Sequence, residues 1–487
     1  MNPAAHSFTA LTTDLYEVTM ACGYWKAAVS EYEAAFYVAF RDHPFGGEFT
    51  VAAGLQQVVD LARDFRFQEH ELAYLGAQRG NDGQPLFDAG FLDYLRGLRL
   101  ACDIDAVPEG TVIFPHEPLI RVCGPVIHCQ LLETALLNIL NFQSLIATKA
   151  ARVCLAAGED PVIEFGLRRA QGVDGGLSAA RAAYIGGCAG TSNLQAGERF
   201  GIPVSGTQAH SWIMFFEHER EAFAAYAKAL PNNCIFLVDT YNSRDGIRHA
   251  IKVAKQLRED RHELIGLRLD SGDRVALSIE ARNALDVAGL NEAKIVCSGD
   301  LDEFAIAEMK ERGAKIDIWG VGTKLSTGCP DGALNGVYKL SAVRRPGQSW
   351  QYRIKLSDDP WKVSCPGLPQ VRRFCDSNGK FIADGVYEID HRMNEPAVIV
   401  DLAGNLVREI SADTNFVDLL VPVFRYGELV YQIPGLRESR QRTHDQLECL
   451  PGEVIRLTKP HRYDAGLEKS LHELRRTLID QAQHKAA

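Results

Sequence analysis

The chain has 487 residues, a formal net charge of −11 and an apolar fraction of 46%. That length suits two or three domains, or one barrel with an appended domain, and the acidic balance leaves no electrostatic footprint for nucleic-acid binding. Twelve cysteines without a C-x-x-C pair or zinc-finger spacing, no basic leader ahead of an apolar core and no eighteen-residue apolar run point to reduced thiols in a cytoplasmic protein with no membrane partner.

Taken in chain order, residues 1–130 open with a helical pattern at 14–25. A Gly/Pro-rich loop, His43-Pro-Phe-Gly-Gly47, comes next, then strand-like runs at 110–115 and 118–123. From about 160 to 345 the pattern changes. Apolar, β-branched runs at 162–165, 233–238, 264–269, 294–297 and 315–319 alternate with helical segments at 212–229, 245–257 and 274–288. A weaker strand candidate covers 202–204, weakened by Pro203 because a central strand tolerates proline poorly. Continuous apolar runs about thirty residues apart indicate parallel βαβ units. With no GxGxxG after the first strand, a barrel is favoured over a dinucleotide-binding sheet, and a flavodoxin-like open sheet is the structural runner-up. Residues 346–435 return to short β-type runs, including 396–401, and an amphipathic helix is expected over 467–485. The expected fold class is therefore α/β: an irregular βα barrel over 131–345, with an accessory α+β domain built from 1–130 and 346–487.

Ligand chemistry in βα barrels lies at the C-terminal ends of the strands, and polar signatures recur there. Val162-Ile runs into Glu164-Phe-Gly-Leu-Arg-Arg169, and Ile202-Pro-Val into Gly206-Thr-Gln-Ala-His210. The later runs end in Asp239-Thr-Tyr-Asn-Ser-Arg244, Arg268-Leu-Asp-Ser-Gly-Asp273, Ser298-Gly-Asp-Leu-Asp-Glu303 and Gly320-Val-Gly-Thr-Lys324. Asp, Ser and Asn are preferred helix N-caps, so any one signature has a local explanation. Their clustering on one face does not. An aromatic ring stacks a planar substrate and arginine forks grip carboxylate or phosphate. Gly-rich turns at helix N-termini present N–H groups to phosphate. Asp270, Asp273 and Asp300 can hold Mg²⁺ against a pyrophosphate, with Arg268 and Lys324 supplying positive charge. No Walker A sequence is present.

Together these motifs resemble the nicotinate phosphoribosyltransferase family. The match runs through Thr13-Asp-Leu-Tyr16, Pro44-Phe-Gly-Gly47, Glu164-Phe-Gly-Leu-Arg-Arg-Ala-Gln-Gly172, Gly190-Thr-Ser-Asn193, Gly206-Thr-Gln-Ala-His-Ser211, Arg268-Leu-Asp-Ser-Gly-Asp273 and Gly320-Val-Gly-Thr323, in the family's order over nearly the whole chain. The resemblance implies a type II phosphoribosyltransferase-like barrel and a homodimer with shared active sites. It also implies transfer from phosphoribosyl pyrophosphate to nicotinate, giving nicotinate mononucleotide and pyrophosphate, coupled to ATP hydrolysis and supported by Mg²⁺. By residue, it places Phe165 on the pyridine ring, with Tyr16 of the neighbouring subunit on the other face. Arg168, Ser192, Thr207 and Arg268 stand around the pyridine and the ribose pyrophosphate. Asp239, Asp270, Ser298, Gly299, Gly322 and Thr323 hold phosphoribosyl pyrophosphate. His210 is the residue transiently phosphorylated by ATP, and it shares the catalytic role with Arg268 and Asp270.

The nearest alternative is a nicotinamide phosphoribosyltransferase. That family carries an aspartate where this chain has Ser192, and an aspartate would repel a carboxylate, so the acid is favoured. A sugar-phosphate aldolase or isomerase barrel is more remote, since no strand candidate ends in a Schiff-base lysine or a positioned glutamate base.

Overall fold

The computed structural model describes residues 8–359, 362–391, 393 and 396–486. Contacts divide the chain into two compact units, Ile146–Gly332 and the combination of Met1–Leu145 with Ala333–Ala487.

The continuous unit is built from βα repeats. In order these are β1 (Val162–Glu164), α1 (Val173–Ile185), β2 (Gly190–Thr191), α2 (Leu194–Phe200), α3 (His210–Phe215), α4 (Glu219–Ala229), β3 (Ile235–Leu237), α5 (Ser243–Glu259), β4 (Gly266–Leu269), α6 (Arg274–Val287), β5 (Lys294–Cys297), α7 (Glu303–Glu311), β6 (Ile318–Val321) and α8 (Thr323–Ser326). The strands are parallel and lie in the order β2-β1-β6-β5-β4-β3. The 202–204 run adds only an isolated parallel bridge from Val204 to Thr191, in keeping with Pro203, whose ring removes a ladder donor. The result is the expected irregular βα barrel, left incomplete with six strands, and Phe236, Leu267, Ile295 and Trp319 are buried in it.

Amphipathic periodicity accounts for the helices. In α5 the buried residues Gly246, Ile247, Ala250, Val253, Ala254 and Leu257 form one face. Gly246 sits so close to β3 that a Cβ there would lie 2.0 Å from the Val238 carbonyl oxygen. Two details depart from the sequence expectation. The helix expected over 212–229 is two helices, because Phe216 is extended (φ −94°, ψ 154°) and α4 starts afresh after His218. The strand expected at 315–319 is Ile318–Val321. Its ladder to β1 begins only at Trp319.

The other unit is α+β and draws strands from both ends of the chain, as expected. Glu33–Phe40 pairs antiparallel with both Ile120–Pro125 and Gly336–Arg344, within a seven-stranded sheet. A six-stranded sheet centres on Phe381–Glu388 beside Ala465–Glu468. The start of the expected 467–485 helix is thus strand, and the helix proper is Lys469–Ala486. Near the start, Leu15–Lys26 is helical. One helical stretch among the described residues, Val126–Ala157, is long and apolar enough by composition to cross a membrane, and 67% of its apolar window is buried inside the protein. All twelve cysteines are free thiols.

Candidate functional site

Because the six strands are parallel, their C-terminal ends share one edge, and the polar signatures come together there. Arg268, the third residue of β4, is the hub. Its Nε donates to Ser298 Oγ at 2.8 Å, Nη1 to Thr207 Oγ1 at 2.9 Å and Nη2 to Asp270 Oδ1 at 2.6 Å. Its guanidinium also lies 5.7 Å from the centroid of the Phe165 ring, within cation–π range. One side chain thereby ties four strand-end loops into a single constellation.

Asp270 completes the hub. Its Oδ1 also accepts the Ser298 hydroxyl, and its backbone N–H donates to Asp239 Oδ2 at 3.0 Å. Burial pushes this carboxyl up, but Ser298, Arg268 and His210 outweigh it and hold the group below the usual carboxylate range. Asp239 Oδ2 accepts Ser271 Oγ as well, at 2.6 Å, whereas Asp239 Oδ1 is buried with no hydrogen-bond partner among the described residues. His210 opens α3. Its Nδ1 is 3.1 Å from Thr240 Oγ1 and its Nε2 3.9 Å from Asp270 Oδ2, with the side chain 42% exposed.

Backbone geometry shapes the anion side. Gly299 has φ +88°, and a Cβ there would lie 2.2 Å from the Asp270 carbonyl oxygen, so the loop after β5 needs glycine. Arg274 Nη1 donates to the Ser298 carbonyl at 2.9 Å and to that of Gly299, pinning the same loop from α6. Gly322 and Thr323 begin the turn of α8. Lys324 is engaged by Asp302 at 2.6 Å rather than standing alone.

Phe165 and its surroundings form the ring side. The Phe165 N–H donates to the Val321 carbonyl at 2.8 Å. Its ring packs on β6 where Gly320 has no side chain; a Cβ at Gly320 would meet Phe165 Cε2 at 2.5 Å. That contact is why β6 runs through Gly320. Ser192 is half-buried, its N–H donating to the Glu164 carbonyl at 2.9 Å. Arg168 lies exposed on the 3₁₀ turn Leu167–Arg169.

Not every expected residue joins the cluster. Asp273 serves as the α6 N-cap, accepting the Ala276 N–H at 3.2 Å, and lies 3.7 Å from Arg312. Asp300 is exposed with φ +49°. Among the described residues, Asp270, Asp273 and Asp300 do not meet as a three-carboxylate metal cluster. Tyr16 belongs to the other unit, 44% exposed on the helix Leu15–Lys26. Three contributors carried no role in the sequence: Thr240 against His210, Arg274 on the β5 loop, and Glu164. Thr240 and Glu164 stood inside quoted motifs, but nothing local marks which side chain turns inward.

The chain matches known proteins over most of its length. Three family descriptions match in succession: the nicotinate phosphoribosyltransferase N-terminal domain over 11–141, the nicotinate phosphoribosyltransferase family over 161–355 and the nicotinate phosphoribosyltransferase C-terminal domain over 369–475. The chain is 40% identical to nicotinate phosphoribosyltransferase of Bacillus subtilis, covering 94% of this chain and 93% of that protein. It is 41% identical to a nicotinate phosphoribosyltransferase of Mycobacterium tuberculosis over 91% of this chain and 88% of that one. The crystal structure of human nicotinic acid phosphoribosyltransferase superposes with a TM-score of 0.84 at 33% identity, covering 96% of this chain and 99% of that one. The chain belongs to the nicotinate phosphoribosyltransferase family.

Proposed function

We propose that this protein transfers the phosphoribosyl group of phosphoribosyl pyrophosphate to nicotinate, and that ATP drives the reaction through phosphorylation of His210. The observation that carries this reading is the single guanidinium of Arg268 bonded to Thr207, Asp270 and Ser298 beneath the Phe165 ring. It joins an aromatic platform to an anion-binding loop at one strand edge.

The residues suit the chemistry. Departure of pyrophosphate builds positive charge at the anomeric carbon, and the ionised Asp270 carboxylate is the group positioned to offset it. Phe165 holds the pyridine ring for in-line attack, while Arg168 supplies charge for the substrate carboxylate. The pyridine nitrogen carries no proton, so no general base is required. Asp270 and the buried, unpartnered Asp239 Oδ1 fit Mg²⁺ arriving with pyrophosphate, since this ion commonly takes one or two carboxylates and keeps waters. Mg²⁺, when bound, screens the pyrophosphate charge. His210 presents Nε2 towards this region while Thr240 fixes Nδ1, an arrangement suited to a phosphoryl acceptor. Ser192, with no charge, admits a carboxylate. The exposed Tyr16 is read as serving a neighbouring subunit in a homodimer. Mixing Tyr16→Ala chains with Arg268→Ala chains should then restore activity, and confirmed heterodimers without it would reject the shared site.

The test is His210→Ala with γ-labelled ATP. Wild-type protein should acquire acid-labile label and form nicotinate mononucleotide faster with ATP than without. The variant should lose labelling and ATPase activity yet keep slow ATP-independent transfer. Persistent acid-labile label in the variant would reject His210 as the acceptor.

A further inference from the structure

Glu164 is 1% exposed, and its carboxylate has no arginine or lysine partner among the described residues. Such a group is costly to bury unless its oxygens are occupied. Both are. Oε1 accepts the N–H of Gly166, which stands between Phe165 and the turn carrying Arg168, and Oε2 accepts Thr191 Oγ1 at 2.6 Å. Thr191 Oγ1 in turn accepts the Asn193 N–H at 3.0 Å, and the Glu164 carbonyl accepts the Ser192 N–H at 2.9 Å.

The Gly166 side is equally confined. Ser326 Oγ donates to the Gly166 carbonyl at 3.3 Å, and a Cβ on Gly166 would lie 2.3 Å from Ser326 Cβ and 2.8 Å from Glu164 Oε1. One buried carboxylate therefore fastens the turn after β1 to the end of β2, with Ser326 of α8 closing the third side. The atoms it fixes, Gly166 N–H and Thr191 Oγ1, are next in the chain to Phe165 and Ser192, two of the residues placed around the pyridine. The Arg268–Ser298–Gly299 side is held by other bonds. Burial pushes the Glu164 carboxyl above the usual carboxylate range, with the Thr191 and Gly166 bonds opposing the shift.

We propose that Glu164, acting with Thr191, is a positioning residue that sets the geometry of the nicotinate pocket without touching substrate. The proposal rests on the nicotinate reading above. Three variants test it by steady-state kinetics for each substrate in turn: Thr191→Val, which removes the hydroxyl at nearly constant shape; Thr191→Ser, which keeps it; and Glu164→Gln, which halves the acceptor capacity. Thr191→Val and Glu164→Gln should raise KM for nicotinate about tenfold, leave KM for phosphoribosyl pyrophosphate within about twofold, and Thr191→Ser should match wild type. Should Glu164→Gln fail to fold, the two Thr191 variants decide alone. An unmoved nicotinate KM, an equal rise in both KM values, or a Thr191→Ser protein as impaired as Thr191→Val overturns the proposal. Failure of the wild-type protein to use nicotinate would instead overturn the functional reading.

Discussion

Asp270 holds Arg268 by a 2.6 Å ion pair, while its other carboxylate oxygen lies 3.9 Å from His210 Nε2. One acid thus stands between the group that organises the strand-end loops and the group read as the phosphoryl acceptor. Replacing it leaves the largely buried Arg268 guanidinium, 12% exposed, without its countercharge. Asp270→Asn should lower kcat/KM for phosphoribosyl pyrophosphate by about a hundredfold or more, with a smaller change in thermal stability. Steady-state kinetics with the folded variant check this, and a loss below about threefold would contradict the assigned role.

Gly320 is predicted to act through Phe165. An added methyl at 2.5 Å from Phe165 Cε2 cannot be accommodated without moving the ring, and a displacement on the order of an ångström in a positioning group costs heavily in rate. Gly320→Ala should weaken nicotinate binding by about tenfold or more and spare phosphoribosyl pyrophosphate binding. Isothermal titration with each substrate separates the two. Equal loss of both would show a collapsed loop rather than a displaced ring.

Much of this was legible in the chain, for identifiable reasons. The 294–297 run is strand over its whole length because its ends are set by local polar residues. The strand-edge placement of Arg268, Asp270 and Ser298 followed from parallel topology alone. The 315–319 register missed because a glycine in a strand reads as a loop, and only the distant Phe165 ring explains why Gly320 belongs in β6. The strand Ala465–Glu468 overlaps the start of the expected 467–485 helix and was missed because its partners, Phe381–Glu388 and Ala397–Val400, lie far off in sequence. Asp273, offered as a metal ligand, also caps α6 through Oδ1, the local role its residue type favours. The partner of Arg268 at Thr207 is 61 residues away, a separation that no local pattern encodes.

A pH dependence follows from the accessory unit. His43 lies edge-on to Phe40 and Phe114, with Nδ1 2.9 Å from Thr50 Oγ1, and burial, reinforced by Arg462, pushes the imidazole down to about 3. The folded state therefore excludes a proton that the unfolded chain binds below about pH 6.5. Stability is full above that value and falls as pH drops towards 3, by up to about 1.4 kcal/mol per pH unit from this residue. Urea midpoints at pH 7.5 and 5 should fall less for His43→Asn than for the wild type. Parallel losses would contradict a neutral buried His43.

Substrate choice is the property that most directly separates this enzyme from its amide-using alternative. Purified protein given phosphoribosyl pyrophosphate, Mg²⁺ and ATP, with nicotinate or nicotinamide in parallel, should convert the acid to its mononucleotide with kcat/KM at least about a hundredfold above that for the amide. The proposed basis of that preference is the uncharged Ser192 beside the Phe165–Arg168 turn. Nicotinate mononucleotide and pyrophosphate appearing in equal amounts would confirm the account; preferential use of nicotinamide, or no mononucleotide from either, would contradict it.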